Sequence, residues 1–133
     1  MREVAVNWAR ETPSAAVAWL ETLGDSRGQR EGLSAAYAHW AGRDAVAASA
    51  YLADQPSSVA RDFAINGFTA ALAHQDPQAA VIWAETIAIP GLREATVVRA
   101  GQRYFQTDPA AAAAWLAASN LSAEARQRVN PGL

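Results

Sequence analysis

The sequence predicts an all-α protein, an α-solenoid of about four 32-residue helix–turn–helix repeats. Three observations carry that prediction. Shifted by 32 residues, the chain aligns Trp19, Tyr51, Trp83 and Trp115 in one column and Trp8, Trp40, Leu72 and Tyr104 in another. Asp44, Asp76 and Asp108 recur at the same interval, followed by Ala45, Pro77 and Pro109, with Thr12-Pro13 in the first copy. Within each copy apolar residues fall at i, i+3, i+4 and i+7, the spacing of one helix face, and alanine, the best helix former, is abundant.

Residues 1–10 match the second helix of a repeat, because Trp8 stands in the column of Trp40, and 1–12 form the partial unit. They read as a partial repeat or an N-terminal capping helix, and the alternative is that the chain is cut from a longer array. Full repeats follow over 13–44, 45–76, 77–108 and 109–133, the whole forming a single domain. The first helix of each opens at an aspartate that caps free amides, with proline tolerated at the first helical position. Its buried stripe is Ala16, Trp19, Leu20 and Leu23, repeated as Ala48, Tyr51 and Leu52; Ala80, Trp83, Ala84 and Ile87; and Ala112, Trp115 and Leu116. Breakers such as Gly24-Asp25-Ser26, Gln55-Pro56-Ser57 and Ile89-Pro90-Gly91 end it. The second helix is longer, with stripes Leu33, Ala36, Tyr37, Trp40; Ile65, Phe68, Leu72; and Val97, Ala100, Tyr104, Phe105. Ser26 with Gln29 fits a capping box. The expected helices are 1–10, 13–23, 26–42, 45–54, 57–74, 77–88, 91–106, 109–118 and 122–129.

Composition narrows the function classes. The chain has no cysteine, which excludes a disulfide framework, a thiolate metal site and a cysteine nucleophile. Its basic residues are all arginine, yet the net charge is −2, giving no electrostatic case for nucleic acid. No signal peptide and no run long enough to span a membrane is visible.

Proline followed six residues later by tryptophan, at Pro13/Trp19, Pro77/Trp83 and Pro109/Trp115, resembles the first helix of tetratricopeptide-like repeats. The period of 32 is shorter than theirs, and their Leu-Gly and Tyr later in that helix are missing. The phrase Asp-Pro-x-Ala-Ala-x-x-Trp, at 76–83 and 108–115, also resembles degenerate tandem repeats of large bacterial proteins, and 120–126 resembles the last cap of such an array. The resemblance implies an architecture and no chemistry.

The candidate chemical groups are scattered. His39 and His74 occupy non-equivalent positions and lack further ligands at helical spacing, so no metal site and no catalytic triad is expected. Glu21 and Glu85 share a repeat position and read as solvated acids two repeats apart. Arg30, Asp62, Glu94 and Arg126 form a charge column, with Arg61 and Arg93 one residue before the acids. It reads as an inter-repeat network pairing Arg30 with Asp62, Asp62 with Arg93, and Glu94 with Arg126. Arg99 and Arg103, with His74 and Arg43 nearby, form a small anion-binding face in the weaker reading and a solvated pair in the stronger.

The expected function is therefore a non-enzymatic protein–protein interaction module, without catalytic residues, cofactor or metal. Its groove is expected on the first helices, lined by Val17, Glu21, Ser49, Ala53, Val81 and Glu85 and continued by Ala113 and Ala117, and suited to a peptide or partner helix with apolar or basic groups. The alternative is a structural spacer, or a segment that self-associates through exposed repeat ends. Neither nucleic acid nor membrane is an expected partner.

Overall fold

The structure, a computed structural model, describes residues 13–131, and within them the chain is all-helical with no strand. Seven helices follow in order: α1 Pro13–Glu21, α2 Arg27–Ala53, α3 Val59–Leu72, α4 Pro77–Ala84, α5 Pro90–Thr107, α6 Pro109–Ala118 and α7 Ala123–Val129. The helix expected over 1–10, with Trp8, lies outside the described residues, as does Thr12.

Element α2 departs from the expected map by joining two helices into one. The join is broken at Asp44, whose backbone is non-helical at φ −153° and ψ 82°. There the Asp44 carboxylate accepts the Ala47 amide at 3.0 Å. Asp76 and Asp108 have nearly the same backbone, φ −148° and −146° with ψ 84° and 82°. Each accepts the amide three residues on, from Ala79 and Ala111, at 3.1 Å. One side-chain oxygen thus satisfies one amide that the helix start leaves without a partner, at 32-residue intervals.

Serines cap most of the second helices. Ser26, Ser58 and Ser122 accept the amides of Gln29, Arg61 and Ala125 at 3.0–3.1 Å. The capping box expected at Ser26 and Gln29 forms only in part. The Gln29 carboxamide turns away and donates to the carbonyls of Leu20 at 3.1 Å and Glu21 at 3.3 Å, closing the end of α1 instead. Gly24 then turns the chain with φ +72°, a conformation open to glycine at little cost.

The core runs through the described chain as one apolar cluster, from Val17 and Leu20 through Tyr37, Leu52, Ile65, Phe68 and Ile87 to Tyr104 and Ala112. A smaller cluster of Val98, Leu116, Ala125 and Val129 seats α7. The recurring aromatics sit at its edge: Trp19, Tyr51, Trp83 and Trp115 are half-buried, not enclosed as the stripe suggested. Their partners lie in the preceding sequence copy, with ring centroids 5.5 Å apart for Trp40 and Tyr51, 5.4 Å for Phe68 and Trp83, and 6.2 Å for Tyr104 and Trp115. Alanines 16, 48, 80 and 112 are wholly buried, so the small member of each motif marks the contact and the large one its rim.

Successive long helices pack directly on one another. The backbone of α3 at Gly67 approaches Ser34 of α2 so closely that a Cβ would lie 1.9 Å from the Ser34 carbonyl oxygen. Helix α5 packs on α3, and α7 on α5, whereas the shorter α4 and α6 barely approach each other.

Candidate functional site

The expected groove on the first helices is only partly exposed. Val17 and Val81 are 0% and 1% exposed, so both belong to the core and not to a groove. A helix held on one side by its own partner and on another by the next pair buries more than one stripe. Glu21, Ala53, Glu85, Ala113 and Ala117 are exposed, and Ser49 is half-buried. The larger apolar residues open to solvent in this layer are Val46 and Ile82.

The members of the expected charge column turn to backbone groups and to other charges instead. Asp62 is buried and its two oxygens accept the amides of Ala88 and Ile89 at 3.2 Å each. Arg30 turns to the Asp25 carboxylate at 3.4 Å, to the Ser26 carbonyl at 3.3 Å and over the Phe63 ring. Arg93 donates to the Ile87 carbonyl at 3.1 Å. Glu94 pairs with Arg128 at 3.2 Å, not with Arg126, whose guanidinium donates to the carbonyls of Leu121 and Ser119. Orphan carbonyls and amides of the turns outcompete charges that water would otherwise screen.

Two adjoining clefts lie along the second helices. The first, of about 610 Å³, is lined by Arg27, Arg30, Glu31, Phe63, Asn66 and Arg99 over a floor of Ser34, Ala35, Ala38, Gly67 and Ala70. The next, of about 300 Å³, shares Ala70 and Arg99 and adds His74, Gln102, Arg103 and Gln106. Arg99 donates to the Asn66 carboxamide oxygen, which also accepts from Thr96 at 3.2 Å. Arg27 pairs with Glu31 at 2.9 Å. Arg103 donates to Gln106 at 3.3 Å, while its Nε is buried without a partner among the described residues. Arg99, Arg103 and His74, the weaker sequence reading, are thus brought to one surface; Arg43 is not among the lining residues. Arg27, Arg30, Phe63 and Asn66 were missed as lining of this face, although the three-residue spacing within each pair, one helix face each time, was a signal in the sequence.

A second pair of clefts opens at the helix ends. One, of about 450 Å³, is bounded by Glu21, Gln29, Pro56, Ser58 and Arg61, with Leu33, Tyr37, Leu52 and Ala64 beneath. The other, of about 410 Å³, carries Glu85, Arg93, Val97, Asn120 and Ser122, which stand 64 residues after Glu21, Gln29, Leu33, Pro56 and Ser58. In the interval between them Asp62 spans to the amides of Ala88 and Ile89, and Arg61 lies over the Trp83 ring at 5.9 Å. Burial raises the Glu21 carboxyl above its ordinary range. Burial also raises the Tyr37 phenol, helped by the nearby Glu21 charge and opposed by Arg61.

Chemically, then, the described residues define an all-helical protein with a cationic face and acidic helix-end clefts. His39 is half-buried, while His74 is exposed. Among the described residues no three His, Cys, Asp or Glu side chains converge as metal ligands, and no helix is long and apolar enough to cross a membrane. Comparison with known proteins finds no matching family model, no matching curated protein and no matching solved structure.

Proposed function

We propose that the chain is a stretch of α-solenoid, made of 32-residue tetratricopeptide-like helix pairs, that binds an extended acidic peptide along its second helices. It acts as an interaction module and not as an enzyme. The observation that carries this reading is charge segregation. In a chain of net charge −2, Arg27, Arg30, Arg99, Arg103 and His74 line one continuous pair of clefts whose sole carboxylate is Glu31, itself paired with Arg27. The shallow floor of alanine, serine and glycine leaves room for a backbone, and guanidinium groups meet carboxylates in matched pairs. Closely packed second helices opposite splayed first helices also favour the second-helix layer as the inner side of a curved stack. The groove of this proposal is therefore cationic and lies opposite the face expected from sequence.

A protein partner is favoured over nucleic acid because the overall charge is negative and the face has one aromatic ring, Phe63, covered by Arg30. The test is fluorescence anisotropy of an alternating Glu-Ala peptide, with a Lys-Ala peptide and single-stranded RNA as comparisons. Binding of the acidic peptide alone, lost in Arg99→Glu and retained in Glu21→Gln, supports the proposal. Tighter binding of RNA, or of the basic peptide, overturns it. The second reading, self-association of the array, is favoured by the exposed Val46 and Ile82 on the opposite layer and predicts a dimer in sedimentation that Ile82→Glu disperses.

A further inference from the structure

Helix α2 turns at Asp44 without any residue that forbids a straight helix there. At the two equivalent joints, Asp76-Pro77 and Asp108-Pro109, the proline has no amide hydrogen and its ring disfavours a helical residue before it, so the chain breaks. At Asp44 the next residue is Ala45, which keeps its amide and is the best helix former. Asp44 is the one residue of the 27 in α2 that leaves the helical backbone. Two side chains hold the bend. The Asp44 carboxylate accepts the Ala47 amide at 3.0 Å. From across the fold, Gln75 donates its carboxamide to the Ala41 carbonyl at 2.9 Å. In an unbroken helix that carbonyl accepts from the Ala45 amide, so Gln75 occupies the acceptor on which straightening depends.

We propose that the bend at Asp44 is a hinge, and that two copies of this chain exchange the segment before it when both α2 helices straighten. A straight α2 of 27 residues is about 40 Å long, and α3, of 14 residues, folds back along only about 21 Å of it. Leu33, Ala36 and Tyr37, at most 1% exposed and in one cluster with Ile65 and Phe68, are then carried beyond their own α3. A second copy opened in the same way offers those partners again, with Ser34 against Gly67. The exchanged interface is the contact α2 and α3 already make, the most extensive between any two described helices, so no new surface is required. The two forms differ at the bend alone, where the Asp44 cap and the Gln75 contact give way to unbroken helix. The exchange goes beyond association through Val46 and Ile82, which leaves every helix in its own chain. It also divides the cationic cleft between copies, because Arg27 and Arg30 precede the hinge whereas Phe63, Asn66 and Arg99 follow it. Each cleft of the dimer is completed by the other copy's arginines.

The experiment concentrates the full chain to the millimolar range with gentle warming and follows it by size exclusion with light scattering. Isotope-filtered NOE spectra on mixed labelled and unlabelled chains then locate the contacts between copies. A dimer is expected, with contacts from Leu33 and Tyr37 of one copy to Ile65 and Phe68 of the other. Its dissociation breaks core packing, so it persists on dilution and separates only as slowly as the chain unfolds. Gln75→Ala, at an exposed residue, and Asp44→Ala each remove a contact of the bent form alone. Each should raise the dimer fraction about fivefold or more. Ala45→Pro admits the bend and bars the straight helix, and should leave monomer only, without a lower melting temperature. The NOE contacts are read in the parent, so they decide the question whether or not each variant folds. The proposal is overturned if parent and Gln75→Ala both stay monomeric, if Ala45→Pro dimerises as well as the parent, or if the contacts lie at Val46 and Ile82. None of these outcomes bears on peptide binding by the monomer, which is read at Arg99.

Discussion

The carboxylate of Asp62 accepts the amide of Ile89 at 3.2 Å, across 27 residues of sequence, and its other oxygen holds Ala88 at the same distance. One aligned column sets this helix start apart. Ser26, Ser58 and Ser122 cap their own helices, but the fourth member is Pro90, which has no hydroxyl. Helix α5 accordingly starts at Ile89 without a side-chain cap. The Arg93 amide there donates to the Ile89 carbonyl, and Asp62 of the preceding second helix instead holds the two amides just before the helix start. Asp62→Ala should cost about 2 kcal/mol, with Asp62→Asn costing less. Thermal unfolding measures the first, and faster hydrogen exchange at Ala88 and Ile89 locates it. Unchanged exchange at these amides would remove Asp62 from the account.

Glycines 42 and 67 should respond in opposite directions to alanine. A Cβ at Gly67 would lie 1.9 Å from a backbone oxygen, so α2 and α3 must separate to admit it. The loss should reach about 3 kcal/mol or more, the upper end of overpacking effects. A Cβ at Gly42 meets nothing within 4 Å, and Gly42→Ala should stabilise by about 0.5–1 kcal/mol through helix propensity. Denaturant midpoints of the two variants are enough to check the pair.

Ala45→Pro tests the break inside α2. Asp44 has the backbone of Asp76 and Asp108, each of which precedes a proline at the first helical position. Proline at 45 therefore suits the native conformation and should stabilise by about 0.4–1 kcal/mol. A loss of several kcal/mol in urea unfolding would mean that α2 is continuous through this point.

Burial raises the Glu21 carboxyl, so its charged form is the less favoured one in the folded state. The sign follows from linkage. Above the raised pKa the ionised group weakens the fold, and stability returns as pH falls through that value towards the unfolded one. Glu21→Gln should therefore melt higher than the parent at pH 7. The difference should shrink as acidification through the carboxylate range neutralises Glu21. Melting curves from neutral to acidic pH follow it, and a variant less stable at pH 7 would contradict this reading.

Local features were legible in the sequence and long-range ones were not. The caps at Asp44, Asp76 and Asp108 involve an amide three residues away, so the motif contains the whole interaction. The alanine columns are buried because each stands three residues before its aromatic, on the same face of its helix. The aromatic columns recur equally well but lie at the rim, since a period reports a contact and says nothing of its depth. Val17 and Val81 were placed in a groove because the neighbouring helices that cover them are not evident from their own helix. Asp62 was assigned to an arginine for a similar reason: the amides it holds, of Ala88 and Ile89, lie 26 and 27 residues away in the chain. The cationic face was half visible, as Arg99, Arg103 and His74, while Arg27 and Arg30 joined it only through the packing of α2 on α3.

The most direct test of the central claim is to map an acidic Glu-Ala peptide onto the protein by amide chemical-shift changes. The account predicts a continuous track through Ser34, Ala38, Gly67, Ala70 and Arg99 on the second helices, erased by Arg99→Glu. A track through Ala18, Ala50 and Ile82 on the first helices would contradict it.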